Sequence, residues 1–353
     1  MTSSTTPTIF DGHNDVLLHL YRAGGLPAAD SFVTGRDGAL DLVRAKAGGF
    51  GGGFFAVYIP SPVDREFKME EMTKPAYDLP LPEAIEWEDA LPVAMSLAAI
   101  LFDLENRGAL KICRTVADIR AALDAGVMAA VFHIEGAEAI DPDLHTLEVL
   151  YQAGLRSIGP VWSRPTIFGH GVPFRYPSTG DTGPGLTDHG LRLVKRCDEL
   201  GVMIDLSHLN EAGFWDVARH SGKPLVATHS NAYAICPNSR NLTDDQLAAI
   251  KDSDGMVGLN FAVAFLRDDG RMLSDVPLDQ MLRHLDYLIE HVGEDRVGMG
   301  SDYDGAIVPE DVTTVADLPN LRQAMVQHGY DDALMTKLCH GNWLRVLEKT
   351  WGQ

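Results

Sequence analysis

Histidine and acidic side chains stand at the ends of several apolar runs in this chain of 353 residues. The residues that share this placement are His13, Asp15, Glu135, His208, His229 and Asp302. Imidazole nitrogen and carboxylate oxygen suit zinc and, less selectively, cobalt or manganese. Even without Asp302, three histidines with two carboxylates exceed what one catalytic zinc with an open position requires. We therefore predict two divalent metal ions, with zinc as the expected metal, and one carboxylate that bridges them.

The spacing of His13 and Asp15 supports this interpretation. Residues i and i+2 of a strand project to the same side, so both side chains can reach one metal. Each signal is weak alone, because a lone histidine is often a core residue and Glu135 could simply pair with an arginine. The joint placement of all these groups at strand ends favours a metal site over independent structural roles.

Neighbouring polar residues are assigned supporting positions. His133 shares a face with Glu135 but lies deeper, and Asp205 is expected to orient a ligand from below the rim. Asp304 is interpreted as a turn residue or as support for the ligands. Six further histidines lie in predicted loops or helices and are expected at the surface: His170, His189, His220, His284, His291 and His340.

Eight apolar runs alternate with amphipathic stretches, as a closed parallel barrel requires. The predicted strands cover residues 9–15, 54–59, 127–136, 157–162, 202–208, 225–229, 256–261 and 297–303. Helical patterns include residues 82–106, 144–153, 187–200, 211–219, 243–251 and 278–291. We predict an α/β fold, a (β/α)8 TIM-type barrel forming a single domain over residues 1–353. Extended loops follow strands two and four, at 61–80 and 163–186, on the rim where this fold builds active sites.

The composition narrows the choice of partners and location. A net charge of −21 disfavours nucleic acid and anionic membranes as partners, because both are polyanions. None of the four cysteines lies at CxxC spacing. Residues Met1 to Thr8 lack the apolar core of a signal peptide, so a cytoplasmic location is expected.

Other nucleophiles are not indicated. There is no G-x-S-x-G elbow, and no cysteine stands beside a strand-end histidine. The run Gly48–Gly53 precedes a predicted strand and is interpreted as a flexible turn rather than a phosphate loop. A water activated by metal is the nucleophile that remains.

Several motifs resemble those of a known enzyme family. They are Phe10-Asp-Gly-His-Asn-Asp15, Ile134-Glu135-Gly136, Asp205-Leu-Ser-His208, Thr228-His-Ser-Asn-Ala-Tyr233, Ser239-Arg240-Asn241 and Met299-Gly-Ser-Asp-Tyr-Asp-Gly305. In these motifs the chain resembles the renal or membrane dipeptidase family, class M19 of the zinc peptidases, within the amidohydrolase-like barrels. The resemblance runs through most of the chain.

The resemblance implies a role for each candidate. His13 and Asp15 would bind one zinc, His208 and His229 the other, and Glu135 would bridge both. Arg240 would hold the substrate carboxylate and Asp302 would shuttle the proton. The implied substrate is a dipeptide, including dipeptides with a C-terminal D-residue, and a homodimer is suggested.

Two features depart from the family pattern. Well-described mammalian members carry a histidine after strand four that is thought to contact the oxyanion, and this sequence has Trp162 there. We expect Trp162 to contact the substrate, with oxyanion stabilisation left to the metals or to a loop group such as His170. Secreted members also carry disulfides and a lipid-anchor signal, whereas Cys236 has no evident partner here, as in an intracellular bacterial-type relative.

Two alternative functions remain open at this point. The first is another amidohydrolase-type C–N hydrolase, such as a deacylase or cyclic amidase. Many of those enzymes open with His-X-His and place a bridging lysine on strand four, whereas this sequence has His-X-Asp and offers no such lysine. The second is a non-catalytic barrel that binds metal or peptide, although no ligand candidate is lost.

Overall fold

The computed structural model describes residues 7–62 and 69–352. Its strands are β1 (Ile9–Asn14), β2 (Phe50–Tyr58), β3 (Tyr77–Asp78), β4 (Leu110–Ile112), β5 (Met128–Glu135), β6 (Leu155–Gly159), β7 (Arg175–Tyr176), β8 (Met203–Ile204), β9 (Val226–Ala227), β10 (Met256–Asn260) and β11 (Val297–Gly300).

The helices lie mostly between these strands. They are α1 (Val16–Arg22), α2 (Ala29–Thr34), α3 (Leu42–Gly48), α4 (Trp87–Asn106), α5 (Val116–Asp124), α6 (His145–Ala153), α7 (Asp188–Leu200), α8 (Glu211–His220), α9 (Asp244–Asp252), α10 (Val263–Leu266), α11 (Leu278–Val292), α12 (Leu318–His328), α13 (Asp332–Thr336) and α14 (Asn342–Trp351). Short 3-10 turns cover Leu26–Ala28, Met69–Thr73, Ala137–Ala139, Glu294–Arg296, Glu310–Val312 and Val315–Asp317, and Lys337–Gly341 is π-helical.

Eight parallel strands form the barrel, in the order β8-β6-β5-β2-β1-β11-β10-β9. The ring closes between its two ends, where Asp205 pairs with Val226 and Leu206 N donates to Val226 O at 2.8 Å. The predicted (β/α)8 barrel is confirmed. Sequence analysis missed β4, which pairs with β5 off this path.

The glycine run before the second predicted strand was misinterpreted as a turn. Gly51, Gly52 and Gly53 belong to β2, which begins at Phe50. A Cβ on Gly52 would lie 1.9 Å from Ala129 O, and one on Gly53 would lie 2.3 Å from Asp11 O. Glycine is therefore needed inside this strand because its neighbours approach too closely for a side chain.

A tryptophan fills the bottom of the barrel. Trp343, near the start of α14, is fully buried and donates from Nε1 to Met299 O at 2.9 Å. Its ring packs on Phe54, and a Cβ on Gly12 or Gly298 would lie within 3 Å of it. Helix α14 thus supplies the plug of the inner core, below the strand ends that carry the candidate site.

The loops after β2 and β6 meet over the opposite end of the barrel, where β3 and β7 pair antiparallel. Tyr77 Oη donates to Gly270 O at 2.8 Å, which joins a third loop to them. These loops carry a small apolar cluster that includes Met72, Leu79, Phe174 and Phe265. Within the described residues, no helix is long and apolar enough to span a bilayer.

Candidate metal centre

Glu135, the last residue of β5, lies between two sets of side chains. Its Oε2 is 3.5 Å from His13 Nε2, which is 3.3 Å from Asp15 Oδ2. Its Oε1 is 3.1 Å from His208 Nε2 and 3.6 Å from His229 Nε2. One carboxylate therefore offers one oxygen to each set, which is the arrangement that a bridging ligand needs.

The backbone brings these groups together at the carboxyl ends of the strands. Asp302 N donates to His13 O at 3.1 Å, and Asp15 N donates to Tyr303 O at 2.9 Å, so the ends of β1 and β11 are tied to each other. His208 and Asp302 have φ values of 68° and 61°, in the left-handed region that few non-glycine residues adopt. Such strained positions cluster at functional sites.

The electrostatics fit a cation in both sets. Burial lowers the pKa values of His208 and His229 well below the usual imidazole value, which keeps both rings neutral and able to ligate. Burial raises the pKa of Glu135 to about 7. Burial also opposes protonation of His13, but the carboxylates of Glu135 and Asp15 outweigh it and raise the His13 pKa. A buried cluster of carboxylates that draws protons to itself is a donor set for divalent cations.

A hydrogen-bond relay sets the tautomer of His229. Thr228 Oγ1 lies 2.5 Å from Asp205 Oδ2, and a carboxylate can only accept, so the hydroxyl donates to it. The same hydroxyl oxygen lies 2.8 Å from His229 Nδ1 and must accept a hydrogen bond from the protonated Nδ1. His229 Nε2 is thereby left as a lone pair facing Glu135. This is the state that a metal ligand requires.

Two further side chains support the site. Ser163 Oγ lies 2.8 Å from His208 Nδ1, whereas the other ring nitrogen, Nε2, faces Glu135. His133 Nδ1 lies 2.9 Å from Ser157 Oγ, and its Nε2 is 3.7 Å from Asp205 Oδ2. His133 precedes Glu135 by two residues on β5 and therefore lies deeper in the barrel than the strand end.

Asp302 lies beside the first set. One ligand atom each from His13, Asp15 and Asp302 come within 4.8 Å of one another. Asn260 Nδ2 donates to Asp302 Oδ2 at 3.0 Å, and burial raises the pKa of the carboxyl. Both a proton-carrying role and a ligand role are compatible with this position.

Arg240 is buried close to the second set and is 4% exposed. Its Nη2 donates to His229 O at 3.1 Å, and its guanidinium lies 5.3 Å from the centre of the Phe265 ring. Its Nε has no hydrogen-bond partner among the described residues. Burial lowers the Arg240 pKa to about 10.

A cavity of about 280 Å³ opens above these groups. Its lining includes Asp15, Glu135, His208 and Asp302 on the metal side. Trp162 forms part of the wall, with ring centres 5.7 Å from His208 and 5.6 Å from Phe174. The cavity wall is otherwise largely apolar, as in many small-molecule sites.

Several functional neighbours were not anticipated from the sequence. No role was assigned from the sequence to Asn260, Ser163, Thr228 or Tyr58. Asn260 ends β10 and Tyr58 ends β2, and a polar residue at the end of an apolar run is a signal that could have singled out both. His170 is not part of the cavity lining, and its Nδ1 lies 3.4 Å from Gly185 O.

The structure also places His284, which was expected at the surface, and Asp304, which was interpreted as a turn residue. His284 was expected at the surface but is fully buried on α11, where Nε2 lies 2.9 Å from Leu266 O. Asp304 is a positive-φ turn residue, as interpreted, and accepts hydrogen bonds from Arg36 and from the backbone of Ala39 and Leu40.

Comparisons with known proteins identify the family of the chain. A sequence model of the membrane dipeptidases, peptidase family M19, matches residues 4–351. The "uncharacterized protein in pqqA 5'region" of Klebsiella pneumoniae is 49% identical over 267 residues, which span 75% of this chain and 98% of that protein.

Two solved structures superpose with a TM-score of 0.95 at 54% identity. One is a metallo peptidase from Rhodobacter sphaeroides liganded with a phosphinate mimic of the dipeptide L-Ala-D-Ala, aligned over 98% of this chain and 100% of that one. The other is a dipeptidase described as a metallo peptidase of family M19, aligned over 99% and 100%. The predicted family is therefore confirmed: the chain belongs to the membrane dipeptidase family, peptidase family M19, a family of metallo dipeptidases.

Proposed function

We propose that this protein hydrolyses the amide bond of dipeptides with two divalent metal ions, of which zinc is the expected species. The observation that carries the proposal is Glu135, whose two oxygens face separate sets of nitrogen and oxygen donors. His13 and Asp15 would hold one ion, and His208 and His229 the other. Histidine with carboxylate, and no thiolate in the cluster, is a donor set that zinc accepts.

Bound metal ions would supply Lewis acidity, which polarises the amide carbonyl and lowers the pKa of water. Proton transfer falls to the chain's own groups, since the leaving nitrogen must be protonated before it departs. We assign this step to Asp302, whose carboxyl is partly buried, lines the cavity and has a raised pKa. A carboxyl can take a proton from water and return it to nitrogen.

Arg240 is proposed to bind the substrate's free carboxylate. A planar guanidinium fork matches a carboxylate and would mark where the peptide ends. An arginine buried to this degree beside Asp302 and Glu135 is expected to have a defined partner, and its charge is felt by both carboxylates. Trp162, in the cavity wall, is proposed to contact the substrate's side chains.

The L-Ala-D-Ala mimic bound by the Rhodobacter sphaeroides relative supports dipeptides with a C-terminal D-residue as substrates here. A single-domain organisation over residues 1–353, a cytoplasmic location and a homodimer stay predictions. The absence of nucleic-acid and membrane partners likewise rests on the charge of −21.

The test combines metal analysis with a substrate panel. We expect two divalent ions per chain, loss of activity on chelation, and hydrolysis of L,L and L,D dipeptides. A fully active chain with one ion or none would overturn the two-metal centre. If the metal-loaded chain cleaves N-acyl amino acids or cyclic amides but no dipeptide, the protein is another class of C–N hydrolase. A loaded chain that turns over none of these would be a binding protein.

A further inference from the structure

Hydrolysis of an amide places negative charge on the carbonyl oxygen when water attacks the carbon. A neutral hydrogen-bond donor aimed at that oxygen accelerates such reactions, because it binds the transition state better than the substrate. The cavity wall is mostly apolar, and its acidic members can only accept hydrogen bonds when ionised. Tyr58 is a lining residue with a hydroxyl that can donate.

The strand register places Tyr58 beside Glu135. Tyr58 ends β2 and pairs with Glu135 of β5 in the parallel ladder. Paired residues of parallel strands project from the same face, and side chains alternate along each strand. Phe54 lies in the inner core with Val131, its own ladder partner, so Tyr58 four residues on projects to the inner side as well.

The Tyr58 ring is fixed from behind. Its centre lies 5.0 Å from that of Trp162 in an edge-on contact, and the Arg164 guanidinium lies 5.9 Å from it. Arg164 is fully buried and donates to Ile59 O at 3.0 Å and to Glu138 Oε1 at 2.8 Å. The wall that carries the phenol is therefore anchored by a buried ion pair.

The hydroxyl itself is available. Within residues 7–62 and 69–352 the Tyr58 hydroxyl makes no hydrogen bond, although the residue is only 9% exposed. Burial raises the pKa of the phenol, and the carboxylates of Glu135, Glu138 and Asp15 add to this while Arg164 opposes it. The group stays protonated near neutral pH and can only act as an uncharged donor or acceptor.

We propose that Tyr58 is a catalytic residue whose hydroxyl donates a hydrogen bond to the carbonyl oxygen of the scissile amide. The inference rests on the proposed dipeptidase function. As the water oxygen bonds to the carbonyl carbon, the carbonyl π electrons move to the oxygen that Tyr58 contacts. The pair returns when the C–N bond breaks and the leaving nitrogen takes a proton. The phenol proton remains on Tyr58 throughout.

Tyr58→Phe removes this hydroxyl and keeps the ring contacts with Trp162 and Arg164. Loss of one such donor lowers kcat by roughly 10²–10³-fold. We expect that fall on L-Ala-D-Ala, with KM within about threefold of wild type and two metals retained. Because no proton is transferred, the fall is the same from about pH 6 to 9, below the titration of a phenol. The phosphinate mimic of L-Ala-D-Ala binds correspondingly more weakly to the variant.

Tyr287→Phe is the matched control, since it removes a hydroxyl that donates to Asp244 on the outer helices and leaves activity unchanged. A Tyr58→Phe enzyme with wild-type kcat would overturn the inference. A fall of similar size in Trp162→Phe, with Tyr58→Phe active, would place the donor on the indole instead. Loss of a metal from Tyr58→Phe would make the hydroxyl a support for Glu135. Failure of metal-loaded wild type to cleave any dipeptide would refute the proposed function itself.

Discussion

Asp205→Asn changes one atom of the relay behind His229 and should reverse the tautomer of that ligand. In the wild type, Asp205 Oδ1 accepts from Ser207 N at 3.0 Å and from Thr228 N at 2.9 Å. Its Oδ2 accepts a hydrogen bond from the Thr228 hydroxyl, which obliges that hydroxyl to accept one from His229 Nδ1. The substitution keeps the shape of the side chain but replaces one acceptor by a donor.

The asparagine has two orientations, and each is unfavourable. With its NH₂ towards the backbone, two buried N–H groups lose their acceptor, at about 1–3 kcal/mol each. With its oxygen there, the NH₂ donates to the Thr228 hydroxyl, which then donates to His229 Nδ1. The imidazole proton moves to Nε2, where the metal would bind. For His229 to bind a metal through Nε2, its proton must return to Nδ1, which breaks the hydrogen bond from the Thr228 hydroxyl. The loss of this buried hydrogen bond costs about 1–3 kcal/mol, which corresponds to roughly 5- to 150-fold weaker metal binding.

Metal affinity is measured by titrating the metal-free protein in competition with a chelator of known affinity. We expect one ion to bind as in wild type and the other to bind in the weakened range, in line with the 10–100-fold typical of lost support to a metal ligand. Asp198→Asn is the matched control, because Asp198 also accepts from a hydroxyl and a backbone N–H but at the outer helices. Wild-type affinity for both ions in a folded Asp205→Asn protein would refute the relay.

Three further outcomes follow from the geometry. Asp302→Asn should lower kcat by about 10²–10⁴-fold with both metals retained, whereas loss of a metal on analysis would identify Asp302 as a ligand. Arg240→Ala should raise KM for free dipeptides by roughly 10- to 150-fold, because a hydrogen bond to a charged group contributes about 1.5–3 kcal/mol. Equal turnover of free and amidated dipeptides by wild type would exclude Arg240 as the group that binds the substrate carboxylate. Trp343→Ala should lower the free energy of unfolding by about 3–5 kcal/mol in denaturant titrations. Trp215→Ala, at a half-buried position of α8, is the control, and an equal effect of the two substitutions would contradict the role of Trp343 as the plug of the inner core.

The barrel and the position of the ligand candidates could be predicted because both depend on local patterns. Apolar runs of strand length end abruptly in polar residues, and parallel strand ends share one rim. The five ligand candidates therefore meet although Asp15 and Glu135 are separated by 120 positions in the chain. The prediction that Glu135 lies between the two sets came from the family resemblance, because spacing alone does not distinguish Glu135 from Asp15.

Features that depend on pairing between distant segments could not be predicted in this way. The relay from Asp205 through Thr228 to His229 is fixed by the closure of the barrel between β8 and β9. The strand β4 is only three residues long and has no pattern that separates it from a helix end. His284 is different, because it shares a helical face with Met281, Leu285 and Leu288, and that spacing could have placed it in the core.

The plug supplied by α14 has a consequence for synthesis on the ribosome. Gly12 and Phe54 emerge early, but the ring that packs against them belongs to residue 343 and emerges almost 300 residues after Phe54. Until then Gly12 of β1, Gly258 of β10 and Gly298 of β11 lack their contact with the indole, and the inner layer of the barrel is incomplete at this end. We therefore expect the inner core to close only when translation is nearly finished, with the apolar surface around Phe54 uncovered until then.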